Sequence, residues 1–286
     1  MREAPTDSRL EELVAGALAE DLGDGDLTAA ATVPADAHAR ARILQKRPGV
    51  VYGLEVASEV FRQAGAGRLE PLVEEGRWQG EMPTEIAAIT GPARSLLAAE
   101  RVALNLLGHL SGVATLTARF VEAARSGGGT ATILDTRKTT PGLRELEKAA
   151  VRAGGARNHR MGLYDAILIK ENHLALAGGL GPAVAAARTA HAGMAVEVEC
   201  RDPAEVEAAL AAGADRLLLD NMGPEDLRAA VAARDASGVA AELEASGGVD
   251  LETVAAIAAS GVDYVSIGAL THSAPALDLS MLLELT

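Results

Sequence analysis

Met194-Ala195-Val196-Glu197-Val198-Glu199, then Asp202-Pro203-Ala204-Glu205, then Asp215-Arg216-Leu217-Leu218-Leu219-Asp220: these three segments decide the architecture. The first and third are short, mostly apolar runs, as expected of strands covered on both faces. Between them Asp202 supplies an N-cap, Pro203 the first helical residue and Glu205 an acid at the third, so a helix intervenes. Strand, helix, strand at this spacing is a parallel βαβ unit. The rhythm continues outward, with similar runs at residues 131–135, 165–170, 241–246 and 263–268. Gly223-Pro224-Glu225-Asp226 opens a further helix, and Asp250 is expected to cap a third. Six strands with nothing obvious to shield two open edges favour closure. The expectation is an α/β barrel with fewer than the usual eight strands.

The earlier part of the chain reads differently. Residues 10–22 carry a helical pattern, and residues 39–44 alternate like a strand. A long Ala-rich helical pattern over residues 93–125 ends at Ser126-Gly127-Gly128-Gly129, the clearest break in the chain. Gly108 and Gly112 lie four apart on one face of it, which permits close approach of another backbone.

The whole chain has 286 residues, 49% hydrophobic but only 2% aromatic, so its core must be built from Ala, Val, Leu and Ile. A net charge of −14 argues against nucleic-acid binding, which needs a basic surface. The single cysteine, Cys200, excludes an intrachain disulfide and a cysteine-cluster metal site, and reads as a buried structural thiol. No run of about 18 apolar residues offers a membrane span, and the stretch from Met1 to Asp7 lacks the apolar segment of a signal peptide. A cytoplasmic globular protein is expected.

Catalytic groups of a βα barrel sit at the C-terminal ends of its strands. Here those ends read Asp135-Thr136-Arg137-Lys138, Lys170-Glu171-Asn172-His173, Glu199, Asp220-Asn221, Ser246-Gly247-Gly248 and Ser266-Ile267-Gly268. Residues 136–170 hold eight Lys and Arg against three acids, and three of the chain's four lysines. Arg144, Lys148 and Arg152, beside Glu145 and Glu147, read as helix-surface ion pairs. Arg137, Lys138 and Lys170 abut strand ends, where a cationic concentration implies an anionic ligand. The two Ser/Gly turns follow the last two strands, where barrels place a phosphate on backbone N–H groups. Glu199 and Asp220 end neighbouring strands, so both carboxylates can face one cavity. They can serve as acid and base, as metal ligands, or as stabilisers of positive charge. Asp21-Leu22-Gly23-Asp24-Gly25-Asp26 fails the calcium-loop pattern at its third position.

In this order the strand-end segments resemble the quinolinate phosphoribosyltransferase family (nicotinate-nucleotide pyrophosphorylase, carboxylating). The resemblance also rests on Glu20-Asp21-Leu22-Gly23-Asp24-Gly25-Asp26-Leu27-Thr28, Glu100-Arg101-Val102-Ala103-Leu104-Asn105 and Asn158-His159-Arg160, and extends over nearly the whole chain. It implies an N-terminal α/β sandwich domain over residues 1–112, rejoined by residues 275–286, and an open α/β barrel of about six parallel strands over residues 113–274. It implies a decarboxylating transfer: quinolinate and phosphoribosyl pyrophosphate give nicotinate mononucleotide, pyrophosphate and carbon dioxide, with Mg²⁺. By analogy Arg137, Lys138, His159, Arg160 and Lys170 hold the two carboxylates of quinolinate, with Thr136 alongside. Glu199 and Asp220 face the ribose, with Mg²⁺ held near them through substrate phosphates. Ser246, Gly247, Gly248, Ser266, Ile267 and Gly268 take the 5′-phosphate. Lys138, Lys170, Glu199 and Asp220 are the expected catalytic residues. A homodimer is implied, and possibly a higher oligomer, in which Arg101 reaches the neighbouring active site. Three other readings compete: a Schiff-base aldolase using Lys170, a non-catalytic anion sensor, and a related transferase-like protein of molybdenum loci, which shares the fold.

Overall fold

A computed structural model describes residues 7–286, so residues 1–6, read above for a targeting segment, lie outside the described residues. The chain forms two compact units. One runs through Ala118 and takes in Thr139–Gly155 and Leu270–Thr286; the other comprises Arg119–Lys138 and Ala156–Ala269.

The first unit is built on an antiparallel sheet. Its strands are β1 (His38–Gln45), β2 (Glu70–Pro71), β3 (Thr84–Pro92) and the C-terminal strand Leu279–Leu285. Their order is C-terminal strand, β1, β3, β2. In β1 the period of two is plain: Ala39, Ala41 and Ile43 are buried while Arg40 and Arg42 between them reach outward. The buried set packs with Val14 and Leu18 of helix Asp7–Leu22, Val60 and Phe61 of helix Leu54–Gln63, and Leu96 and Leu107 of helix Ala93–Ser126. Helices thus cover one sheet face with small aliphatics, as the low aromatic content requires.

The expected division at residues 112 and 113 falls inside the continuous helix Ala93–Ser126. The first unit also gains helix Arg144–Ala153, which lies within the expected barrel domain. The cause is tertiary. Leu146 through Val151 are all buried, and the Glu147 carboxylate meets His109 Nε2 of the long helix at 2.7 Å. The charges at Glu147 and Lys148 are therefore interior, where a surface helix with ion pairs was expected.

In the second unit the strands are β4 (Thr132–Leu134), β5 (Ile167–Ile169), β6 (Val196–Cys200), β7 (Arg216–Asp220), β8 (Glu242–Ser246) and β9 (Tyr264–Ser266). All ladders are parallel, in the order β4, β9, β8, β7, β6, β5. Among the described residues no ladder joins β4 to β5, so the barrel is open-sided. The edge of β4 is occupied by the segment around Arg157, whose N–H donates to Ile133 O at 3.0 Å. That shields an exposed edge without closing the ring. Asp202 caps helix Pro203–Ala211 through the Glu205 N–H at 2.9 Å. Asp250 caps only a turn, accepting from the Glu252 and Thr253 N–H groups, and the regular helix begins at Val254.

Gly112 on the long helix permits a backbone crossing within the first unit. A Cβ there would strike the Pro275 carbonyl and lie 3.1 Å from Ala276 Cα. Gly112→Ala is therefore expected to lower the unfolding free energy by about 1–3 kcal/mol through overpacking, despite the better helix propensity of alanine. Gly16→Ala, whose added methyl meets nothing within 4 Å, should instead add up to about 1 kcal/mol. Denaturant titrations of the two variants check this, and equal effects would contradict it.

Candidate active site

Parallel register brings the strand ends of the second unit level. Ser246 pairs with Asp220 on one side and with Ser266 on the other, and Ser266 pairs with Leu134. Residues two apart along a strand share a face. The face with Asp220 therefore carries Leu218 and Arg216, that with Ser246 carries Glu244 and Glu242, and that with Glu199 carries Glu197. At the C-terminal rim this arrangement encloses a pocket of about 150 Å³.

Ten of the expected residues line it: Thr136, Arg137, Lys138, His159, Arg160, Lys170, Glu199, Asp220, Ser246 and Ser266. Gly247, Gly248, Ile267 and Gly268 do not. Ile267 is buried, and its N–H is already committed to Leu134 O at 2.9 Å, so that amide is not available to a ligand. Arg101 also lies outside the lining; it is exposed on the long helix, with Glu100 at 3.8 Å. Leu168, Leu218 and Glu244 complete the pocket and were missed. The signal was available, because each stands two residues before a strand-end residue and so shares its face.

Local hydrogen bonds explain how the groups are held. Asp135 is fully buried, and its carboxylate accepts from the His159 N–H at 2.8 Å and from Asn158 Nδ2 at 2.6 Å. A carboxylate at the end of β4 thereby fixes the segment that carries His159 and Arg160. Asp165 accepts from the Met161 and Gly162 N–H groups and shapes the loop that follows. The Thr136 hydroxyl accepts from the Lys138 N–H at 3.0 Å, turning the chain at the rim.

Asn221 has left-handed backbone, φ 56°, rare for a residue with a side chain. Its N–H donates to Ser246 O at 2.7 Å, and its Nδ2 donates to the Asp220 carboxylate at 2.9 Å. A Cβ on Gly247 would fall 2.6 Å from Asn221 Cγ, so glycine is required there by space as well as by its φ of 93°. One residue thus ties the acid of β7 to the turn after β8.

Lys170 forms an ion pair with Glu199. Burial, with Arg137 as a neighbouring cation, lowers the pKa of Arg160, although a guanidinium remains charged. Burial and the charge of Glu197 push the Glu244 carboxyl up to about 7. His159 lines the pocket with both ring nitrogens directed at neighbouring groups. Its Nδ1 accepts from the Arg160 N–H at 2.7 Å, and its Nε2 faces Glu197 and Glu244 at 3.3 and 3.5 Å. Cys200 is buried, and desolvation pushes its thiol up to about 12, which leaves it inert. With four cations, two rim carboxylates and two serine hydroxyls, the pocket suits a ligand carrying several anionic groups and a centre of developing positive charge.

Known proteins resemble this chain in sequence and fold. The model of the quinolinate phosphoribosyl transferase C-terminal domain matches residues 113–282, and that of its N-terminal domain matches residues 26–111. The chain is 43% identical over 270 residues to a carboxylating nicotinate-nucleotide pyrophosphorylase of Mycobacterium leprae, covering 93% of this chain and 94% of that one. It is 40% identical to a probable enzyme of the same name from Bacillus subtilis, over 96% of this chain and 93% of the relative. Among solved structures, NadC of Streptococcus pyogenes superposes with a TM-score of 0.91 at 39% identity, covering 100% of both chains. The nicotinate-nucleotide pyrophosphorylase of Francisella tularensis gives 0.91 at 38% identity, covering 98% of this chain and 97% of that one. By matches that span both halves of the sequence, the chain belongs to the quinolinate phosphoribosyl transferase family.

Proposed function

We propose that this chain is a decarboxylating quinolinate phosphoribosyltransferase of NAD biosynthesis, making nicotinate mononucleotide, pyrophosphate and carbon dioxide from quinolinate and phosphoribosyl pyrophosphate. One observation carries the reading: a single rim pocket gathers Arg137, Lys138, Arg160 and Lys170 with Glu199, Asp220 and two serines.

The chemistry follows from the geometry. Arginines grip planar carboxylates through paired N–H donors, so Arg137 and Arg160 suit a ring bearing two of them. Lys138 and Lys170 add charge, and Lys170 exchanges its Glu199 partner for a substrate carboxylate when quinolinate enters. Held in this way, the ring nitrogen is oriented for attack on the anomeric carbon of the donor. As the bond to pyrophosphate breaks, positive charge develops on that carbon and its ring oxygen. Glu199 and Asp220, on neighbouring strands, stabilise it electrostatically. Ser246 and Ser266 offer hydroxyls to the 5′-phosphate beside the tight turn at Gly247. Once alkylated, the ring nitrogen is cationic and stabilises electrostatically the electron pair left on the adjacent ring carbon when carbon dioxide leaves, and that carbon then takes a proton from water. No protein nucleophile is required.

The donor set fits Mg²⁺, since the rim carboxylates Glu199 and Asp220 offer hard oxygens and the pocket lining contains no thiol or thioether. Mg²⁺ would be held near them largely through substrate phosphates and would neutralise charge on the departing pyrophosphate. The proposal includes a homodimer in which Arg101 reaches the neighbouring site; its exposed guanidinium, with Glu100 at 3.8 Å, supports this. It also includes a cytoplasmic location. Among the described residues no helix is long and apolar enough to cross a membrane. The aldolase reading is weaker, because a Schiff-base lysine needs desolvation and the Lys170 side chain is 46% exposed beside a carboxylate.

Three outcomes are expected. With phosphoribosyl pyrophosphate and Mg²⁺, quinolinate should be used with a kcat/KM at least about 100-fold above that of nicotinate, because one missing carboxylate leaves cations unpaired. Comparable use of both acids would end the proposal. Arg137→Ala should raise the KM for quinolinate by roughly tenfold or more, whereas Asp220→Ala should damage kcat and the donor side. Small and equal effects on both substrates would contradict these roles. Mixing the inactive variants Arg101→Ala and Lys170→Ala should restore about a quarter of the activity through statistically formed hybrid dimers; no recovery after mixing would remove Arg101 from the neighbour's site.

A further inference from the structure

Beneath the pocket the barrel interior is polar, where branched apolar residues usually fill such a space. The side chains of His159, Glu197 and Glu244 are 8%, 7% and 0% exposed. Two acids in this position are costly unless partners hold them; Arg216 and His159 supply part of that, while Glu197 Oε1 and Glu244 Oε1 accept no hydrogen bond. From below, Arg216 Nη1 lies 3.4 Å from Glu244, while its other donors bond Glu242 and its guanidinium stacks over the Tyr264 ring at 4.1 Å. From above, His159 Nε2 faces both acids.

The imidazole's state follows from its neighbours. Nδ1 accepts the Arg160 N–H, so it carries no proton. A neutral ring then bears its proton on Nε2, aimed at the carboxyls. The same three residues bring ligand atoms close enough for a metal ion. A metal would need the Nε2 lone pair, which would send the proton to Nδ1, directly against the Arg160 N–H. The geometry therefore selects the proton over the metal.

We propose that Glu197 and Glu244 are positioning residues that lock His159 as an Nε2-protonated, uncharged wall of the pocket and, through the Nδ1 bond, hold the backbone of Arg160 in register for substrate. This rests on the pocket being the quinolinate site. In this proposal the two carboxyls act through His159. The line of contacts Arg216, Glu244, His159, Arg160 runs from the interior of the barrel to a cation at its mouth. Asp135 fixes the same segment from the side.

The test combines ¹⁵N-histidine NMR of the full-length protein, with His159 identified by comparison with His159→Asn, and steady-state kinetics. Without substrate, wild-type His159 should show a protonated Nε2 and a bare Nδ1. Glu244→Leu and Glu197→Leu should disturb that signature and raise the KM for quinolinate about tenfold, leaving the KM for phosphoribosyl pyrophosphate within about twofold. Glu244→Gln, which keeps a polar oxygen facing Nε2, should restore both. A bare Nε2, an unchanged signature and KM in both Leu variants, or one tightly bound divalent metal per chain would overturn the proposal. Equal damage in Glu244→Gln and Glu244→Leu would do so as well, since it would mark a purely structural role. The spectrum is read without substrate, so failure of the wild type to use quinolinate would count against the functional reading alone.

Discussion

The site depends on the parallel register of β7, β8 and β9. Ser246 stands level with Asp220 and with Ser266, so the last inward-facing residue of each strand reaches the same rim. A slip of one residue would turn every inward side chain outward, because the side-chain period of a strand is two. Register is protected by what lies outside the sheet. Leu217, Leu219, Leu243 and Val265 are fully buried on the opposite faces, and a shifted strand would drive polar residues into that layer. The apolar outer face thereby determines which polar groups meet at the mouth.

Charge is handled in layers along the barrel axis. At the floor, Arg216 is bracketed by Glu242 and Glu244. In the middle, His159 sits against two acids, one of which keeps its proton up to about pH 7. At the mouth, Lys170 pairs with Glu199 while Arg137, Lys138 and Arg160 line the same opening. An acidic chain thus presents a local cationic face to an anionic ligand, and the buried acids compensate some of that charge from below. Such preorganisation matters because groups that need not move during the reaction stabilise a developing charge most effectively.

The βαβ rhythm was legible because its signals are local: apolar runs of strand length, an N-cap with proline after it, and polar residues at each strand end. Asp202 and Gly223 begin helices where expected, and ten of the anticipated site residues reach one pocket. Helix Arg144–Ala153 was misjudged as a surface element. Its alternating acids and bases mimic an exposed face, and only the packing of His109 against Glu147 shows that this face is interior. Glu197 and Glu244 share a strand face with Glu199 and Ser246, which the period of two already implies, but that they meet each other and His159 depends on how the strands align.

By itself the amino-acid order determined the parallel α/β class, the cationic segment between Thr136 and Lys170, and the polar identity of each strand end. These depend on period, capping and composition, which are properties of neighbours in the chain. Tertiary structure alone decided that the segment around Arg157 covers the edge of β4, that Asn221 takes a left-handed turn against Gly247, and that His159 turns its nitrogens toward Arg160 and two buried acids. Each of these depends on distances between residues far apart in sequence, set by how strands align and how densely the space between them is filled.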